Sequence, residues 1–174
     1  MMNERLGASE EWILYAQNNL ANTYESVGRV EAALRMRQDV YTGRVKLYGE
    51  EHGETLQCAL NYASSLIGIK RIEEARSLLR KTMPVARRVL GEGNTMMLQM
   101  RSLYAQAPIH LGDGATLGDL RESVTMYEEN ARTARRVLGG AHPLTAGIEK
   151  DLQIARAALR TCEKKAENSA EEVD

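Results

Sequence analysis

The sequence predicts an all-α chain in which antiparallel helix pairs stack one after another, three pairs followed by a closing helix. Three observations lead there. The six-residue stretch ARRVLG occurs word for word at residues 86–91 and again at 134–139, which marks a copied unit. Apolar residues between these marks recur at helical spacing. The composition leaves room for long helices and little for a sheet: 174 residues include three prolines, no Phe, one Trp and seven Tyr, whereas strands favour aromatic and β-branched residues.

Extending outward from the repeated stretch locates the copies. A weaker version, GRVKLYG, ends at Gly49, so the closing glycines are Gly49, Gly91 and Gly139, spaced by 42 and 48 residues. Similar text follows each of them: GEEHGETL, GEGNTMML and GGAHPLTA. Upstream, VGRVEAA (residues 27–33) lies over IKRIEEA (69–75) at the offset of 42, and LGDLRES (117–123) is the third copy. Gly118 precedes Gly139 by the same 21 residues that separate Gly28 from Gly49. The six extra residues of the last unit therefore fall between about Ala107 and Leu117, where GDGATLGD reads as an enlarged turn.

Taken in order, the first helix is expected over residues 9–27, with Ser9 as N-cap, Glu10 and Glu11 favourable in the first turn, and Leu14, Leu20, Ala21 and Tyr24 on the apolar side. Gly28 can supply the positive-φ residue that ends it. The second helix spans 30–48 and stops at Gly49. The next pair is expected at 55–68 and 71–90, and Pro84 inside the latter predicts a kink or local break between Arg80 and Pro84, because it lacks an amide hydrogen and crowds the Arg80 carbonyl. The third pair is expected at 95–109 and 119–138, and a closing helix at 143–163, with Pro143 suited to its first turn. The repeats are thus 9–49, 50–91 and 92–139. Residues 1–8 are expected to form a flexible segment, and the polar run 164–174 a disordered tail.

The repeated ARRVLG reads as a helix stop. Val89 with Leu90, and Val137 with Leu138, are expected to pack one pair onto the next. Arg87, Arg88, Arg135 and Arg136 lie in last turns, where positive charge complements the helix dipole by about 0.3–1 kcal/mol each. The competing reading is a phosphate or nucleic-acid patch. Four arginines split between two helix ends, without interleaved aromatics, favour solvated surface instead.

Composition and motifs exclude several function classes. Lys plus Arg number 23 and Asp plus Glu 24, a formal net charge of −1, which argues against a nucleic-acid binder. The start, MMNERLGASEEW, lacks a signal-peptide core, and no apolar run reaches membrane-spanning length, so a cytoplasmic protein with no membrane partner is expected. Cys58 and Cys162 lie far apart, and His52, His110 and His142 form no His-x-x-x-His pair, so no metal site is expected. GDGATLGD lacks the G-K-[ST] ending of a phosphate loop, and GEEHGE lacks the spacing of a calcium loop. No catalytic constellation and no cofactor site emerge, and the chain reads as a non-enzyme.

Residues 47–94, LYGEEHGETLQCALNYASSLIGIKRIEEARSLLRKTMPVARRVLGEGN, resemble the tetratricopeptide repeats of kinesin light chains and their relatives. Units of that family read roughly L-G-x-x-H-P-x-T-L, then L-N-N-L-A-x-x-Y, then G-x-Y-x-E-A. QNNLANTYESVGRVEAAL (17–34) is close to this text, and LGGAHPLTA (138–146) carries its His-Pro turn. Gly53 stands where the family has Pro, Asn94 replaces the linker His, and Ser123 replaces the usual Ala. The resemblance covers about residues 17–159. It implies a right-handed superhelix of stacked pairs, a tetratricopeptide solenoid, with the first helix of each pair lining the inner surface. It also implies that Ala21, Ala63 and Ala105, with Ala33 and Ala75 opposite, sit where paired helices cross, and that His52 and His142 bond the backbone in turns.

On that architecture the inward-facing candidates are Tyr15, Asn18, Asn19 and Asn22 in the first repeat, Gln57, Leu60, Asn61 and Ser64 in the second, and Gln99, Ser102, Leu103 and Gln106 in the third. This surface is uncharged and rich in amides. Asn19 and Asn61, 42 residues apart, match the second asparagine of the family's L-N-N-L-A text. An amide both donates and accepts, so it can satisfy a peptide unit of a bound strand. Equally, such residues can bridge neighbouring helices. The expected function is a protein–protein interaction module that binds a peptide or partner protein in the concave groove. The alternative is a structural spacer or regulatory segment of a larger signalling protein or enzyme.

Overall fold

Each helix pair ends in the same four-residue device. Gly49, Gly91 and Gly139 have φ of +82, +83 and +86°. At Gly49 and Gly139 ψ is 174 and 159°, a region of backbone space that is essentially glycine's own. Three residues on, a side chain caps the next helix. His52 Nδ1 accepts the amide of Glu54 at 3.2 Å, Asn94 Oδ1 that of Met96 at 2.8 Å, and His142 Nδ1 that of Leu144 at 3.1 Å. The glycine stops one helix, and the imidazole or amide takes an N–H that the following helix leaves without an internal partner. The linker histidines thus bond the backbone as expected, and Asn94 makes the same bond where the sequence departs from His.

The structure, a computed structural model, describes the backbone of residues 2–171 and the side chains of residues 9–112 and 114–168. Its helices are α1 (Met2–Ser26), α2 (Val30–Tyr48), α3 (Gly53–Gly68), α4 (Ile72–Leu90), α5 (Thr95–Gln106), α6 (Leu117–Leu138) and α7 (Pro143–Glu171), with a 3-10 segment at Ala107–Gly114. No strand occurs among the described residues. The chain divides into two compact units, Met1–Val89 and Leu90–Asp174. The outer helices run further than expected, α1 starting at Met2 instead of Ser9 and α7 ending at Glu171 instead of Glu163. Neither extension, 2–8 or 164–171, contains Pro, and the Gly7 that the first one holds costs only about 1 kcal/mol in a helix. Of the segments expected to be flexible or disordered, residue 1 and residues 172–174 lie outside the described residues.

In the first unit, α1 and α3 end in the same Schellman arrangement, but with different residues at the critical position. Gly28 (φ +78°) donates to the Glu25 carbonyl at 3.1 Å, and Arg29 to that of Tyr24 at 2.8 Å. In the second repeat Lys70 takes the place of Gly28 at φ +62°, donating to Ile67 at 2.9 Å while Arg71 donates to Leu66 at 2.9 Å. The hydrogen bonds hold Lys70 in a conformation that its Cβ disfavours.

Packing follows the small residues. Ala21, Ala33, Ala63 and Ala75 are 0% exposed and Ala105 2%, as required where helices cross closely. Gly43 serves a similar end in α2, since a Cβ there would lie 2.6 Å from Leu14 Cδ2 of α1. Leu20, expected on the apolar side of α1, is instead 40% exposed. It is one residue, about 100° of rotation, away from the buried Ala21. Val89 and Val137, expected at packing positions, are 41 and 49% exposed, while Leu138 joins the core of the second unit. Of the kink or break expected at Pro84, the break does not occur: α4 is continuous through it. Both Pro84 and Arg80 occupy exposed positions on α4.

In the second unit the six extra residues form the 3-10 segment. α5 ends at Gln106 because Pro108 brings no N–H. Buried groups of α6 bond back to α5: Ser123 Oγ donates to the Ala105 carbonyl at 2.5 Å, Tyr127 Oη to that of Ser102 at 3.1 Å, and Asn130 Nδ2 to that of Leu98 at 2.9 Å. Ser123, a departure from the usual Ala, thereby satisfies a carbonyl in the last turn of α5. α6 opens two residues earlier than expected, on a capping box in which Thr116 Oγ1 accepts the Asp119 amide at 3.1 Å and the Asp119 carboxylate accepts the Thr116 amide at 3.3 Å.

Two stability outcomes follow from these positions. Lys70→Gly is expected to raise unfolding stability by up to about 1 kcal/mol in chemical denaturation, by removing the left-handed strain. Ala63→Leu is expected to cost roughly 1–3 kcal/mol by overpacking the crossing, against a change within about 0.5 kcal/mol for Gln38→Leu on the exposed face of α2.

Candidate functional site

In the first unit the candidate residues lie on α1 and α3. Tyr15, Asn19, Asn22 and Ser64 are exposed, and Asn18, Gln57 and Asn61 are half-buried. Leu60, also read as inward-facing, is buried in the core at 6% exposure. Tyr15 meets Trp12 edge to face, with ring centroids 6.2 Å apart. Gln57 Nε2 donates to Asn61 Oδ1 at 3.1 Å, one turn along α3. That bond occupies the Asn61 oxygen and points its amide nitrogen elsewhere.

Beneath this strip lies a charge that sequence reasoning missed. Arg37 of α2 is 7% exposed, and its Nη2 donates to Asn22 Oδ1 at 3.0 Å and to Glu25 Oε2 at 2.5 Å. The other oxygen of Glu25 accepts from Ser65 Oγ of α3 at 3.2 Å. One carboxylate thus ties α1, α2 and α3 together, and Asn22 takes a second hydrogen bond from the same guanidinium nitrogen. Arg44, two turns further along the same face, is 4% exposed, lies over the Tyr48 ring at 5.4 Å and has Glu11 and Glu54 each at 3.9 Å. The signal was present in the sequence: Arg37 and Arg44 fall on the phase of Ala33, Leu34 and Val40, which α2 buries. An arginine at a core phase needs acidic or amide partners, because an unpaired buried charge is costly.

In the second unit Gln99 is exposed and Ser102, Leu103 and Gln106 are half-buried on α5. Ser102 Oγ accepts from Asn130 Nδ2 at 3.0 Å. Arg101 again is buried at 7% exposure, paired with Glu92 at 3.1 Å and Glu129 at 2.8 Å. A cleft of about 540 Å³ between α6 and α7 is lined by Glu128, Arg132, Arg135, Glu149, Gln153 and Arg156. Its charges are largely spent on each other, Arg135 on Glu149 at 2.5 Å and Arg156 on Glu128 at 2.7 Å.

Reactive groups are few. Burial pushes the Cys58 thiol up to about 11, which keeps it protonated and unreactive near neutral pH. Among the described residues no group of three or more His, Cys, Asp or Glu is placed to hold a metal ion, and no helix is long and apolar enough to cross a membrane. What the surface offers is accessible amides and hydroxyls on the first helix of each pair.

Comparison with known proteins bears on this arrangement. Residues 12–88 match one tetratricopeptide repeat model and residues 115–144 another. The chain is similar to a solved Podosopora anserina structure described as a kinesin light chain with nearly identical TPR-like repeats, at 20% identity and a TM-score of 0.61 over 88% of this chain and 76% of that one. A single-substitution form of that protein matches at 20% identity and a TM-score of 0.63, covering 89% and 76%. BtubC (BKLC) from P. vanneervenii matches at 15% identity and a TM-score of 0.62, covering 91% of this chain and 66% of that one. No curated protein matches. At identities of 15–20% the likeness is one of fold.

The two kinds of asparagine are separable by mutation. Asn22→Ala removes a hydrogen bond to a buried guanidinium and is expected to cost roughly 1.5–3 kcal/mol of stability. Asn19→Ala, at an exposed position, is expected to stay within about 0.5 kcal/mol. Denaturant unfolding of the two variants side by side checks both.

Proposed function

The chain belongs to the tetratricopeptide repeat family, and from that premise we propose that it is a non-enzymatic module that holds an extended peptide, or an extended segment of a partner protein, along the amide-bearing face of its first helices. Repeats of this kind are generally protein–protein interaction modules. The observation that carries the finer reading is the recurrence of Asn19 and Asn61 at one phase, 42 residues apart, on the first helices of successive repeats. Tyr15, Asn18, Asn22, Gln57 and Ser64 flank them, and Gln99, Ser102 and Gln106 repeat the pattern on α5 of the second unit. Amides of this kind satisfy backbone N–H and C=O groups in either strand direction. A protein or peptide partner, with neither nucleic acid nor membrane, belongs to the same proposal, as does a cytoplasmic setting, with which the unpaired thiols of Cys58 and Cys162 are consistent.

A second reading has its own support. Asn22 is engaged by Arg37, Gln57 by Asn61, and Ser102 by Asn130, as expected if these residues serve the fold and the chain is a spacer or regulatory segment of a larger protein. Screening an array of extended peptides separates the two, since a spacer binds none saturably. With a ligand in hand, replacing both Asn19 and Asn61 by Ala deletes hydrogen bonds of roughly 0.5–1.5 kcal/mol each, a loss of about five- to 150-fold in affinity. Calorimetric titration, with circular dichroism as the fold control, reads this out. Unchanged affinity in a folded double variant would rule out the amide strip as the binding surface.

A further inference from the structure

The first helices carry few charges at the phases that bear the amides, and those few are acidic. In register, Asn19, Asn61, Leu103 and Asp151 are equivalent, the last three lying 12 residues beyond Gly49, Gly91 and Gly139. Trp12, Glu54, Met96 and Leu144 form a second equivalent set. Glu54 and Asp151 are the charged members of these sets, and the sets that contain Tyr15 and Asn22 have none. The face is open within the series and not only at α1, since Glu54 and Ser64 of α3 stand exposed on it. In the second unit Asp151 of α7 is half-buried. Among the described residues no hydrogen bond or ion pair reaches its carboxylate, and burial pushes that carboxyl above its usual range against the opposing charge of neighbouring Lys150. Tyr127, within its electrostatic reach, spends its hydroxyl on the Ser102 carbonyl. A carboxylate drawn out of water without a donor is unfavourable until a cation or an N–H reaches it. In the first unit Glu54 shares one end of the face with an aromatic pair. Trp12 and Tyr15 meet edge to face and are 71 and 54% exposed. Glu11 lies one helical turn from Tyr15, and Arg44 reaches both Glu11 and Glu54 at 3.9 Å. That is one positive charge for two negative ones, at distances too long for hydrogen bonds, so both carboxylates remain open to a further donor.

We propose that the extended segment held by the first helices is a basic one, with one Lys or Arg side chain of the partner seated on Trp12 and Tyr15 beside Glu54 in the first unit, and another on Asp151 in the second. The inference rests on the peptide-binding reading above and specifies its ligand. An exposed aromatic face with a carboxylate next to it suits a guanidinium or an ammonium, which gains from the ring quadrupole and from the ion pair together. Asp151 suits the same chemistry by another route, because a cationic donor supplies the partner that its half-buried carboxylate lacks. An acidic or phosphorylated segment finds no matching charge here. Arg37, Arg44 and Arg101 are buried and answered by carboxylates, and Lys150, exposed beside Asp151, is offset by it. An apolar segment would cover Asp151 further and still bring it no donor.

The probe is an array of N-acetylated, C-amidated peptides in which one position at a time is fixed as Arg, citrulline or Glu and the others are drawn from uncharged residues. Citrulline keeps the shape of arginine and removes its charge. Arg sets are expected to bind the full chain about three- to thirtyfold more tightly than citrulline sets, and Glu sets least of all. A peptide that combines the two best Arg positions is then titrated calorimetrically. Trp12 is the sole tryptophan, so its emission is expected to change as this peptide binds. Glu54→Gln and Asp151→Asn are each expected to lower its affinity at least about threefold, and to leave the affinity of its citrulline counterpart unchanged. Circular dichroism checks the fold, and Asp151→Asn strands no described partner in the free protein. Equal binding of Arg and citrulline sets, a preference for Glu, or an Arg preference that both variants leave intact would overturn the proposal. If the peptides so bound still lose affinity when Asn19 and Asn61 are replaced by Ala, the peptide-binding reading stands without it. Saturable binding by none of the sets overturns both.

Discussion

Paired helices lie close in this protein because nothing larger than a methyl group stands where they cross. Ala21, Ala33, Ala63 and Ala75 have no exposed surface, and at that separation a single added methylene is felt as strain. The other contacts are arranged around this approach. Gly43 lets Leu14 of α1 into α2, the glycine-to-cap turns return the chain at the right length, and long side chains are left to the edges of each crossing. A lone pair has too little interior to stand by itself, so stability is shared between neighbouring pairs within each unit.

Sharing an interior this small forces charge into it. Arg37, Arg44, Arg76 and Arg101 are each under a tenth exposed, their stems covering apolar surface while their heads reach toward carboxylates at the rim. Glu25 among those carboxylates answers Arg37 on one side and Ser65 on the other. The candidate binding strip is therefore not a separate layer laid over the fold. Asn22 belongs to both, exposed on α1 and with its oxygen committed to Arg37. A ligand on α1 would be read partly through the network that fastens α1 to its neighbours.

The fold was legible where the sequence repeats itself. Glycines that recur with a fixed interval to His or Asn define where helices stop and start, and small residues at one phase define where they cross. Three features escaped. Pro84 announces a kink or a break, yet α4 runs through it, with Pro84 and Arg80 both at exposed positions. Lys70 carries no mark of its left-handed backbone, because a lysine looks the same in every turn and only alignment with Gly28 exposes it. Leu20 and Ala21 are adjacent in sequence, and a helical pattern alone does not decide which of two neighbours turns inward. Of the candidate site, the exposed amides were legible from phase. The engagement of Asn22 by Arg37 and of Ser102 by Asn130 was not, since it depends on residues 15 and 28 positions away.

The longer turn of the third repeat separates two jobs that the other repeats perform together. In the first two, the residue that ends the first helix almost immediately begins the second, so the turn's length and the pairing of its helices are one choice. Here α5 is closed by Pro108 and by hydroxyls from α6, while α6 starts on its own Thr116–Asp119 box. The segment between them sets neither end. Ile109 still packs on the core of the second unit, so the graft point lies beyond it, at residues 110–115: sequence there is free to lengthen, to diverge, or to carry an inserted element, without moving the register of the helices on either side.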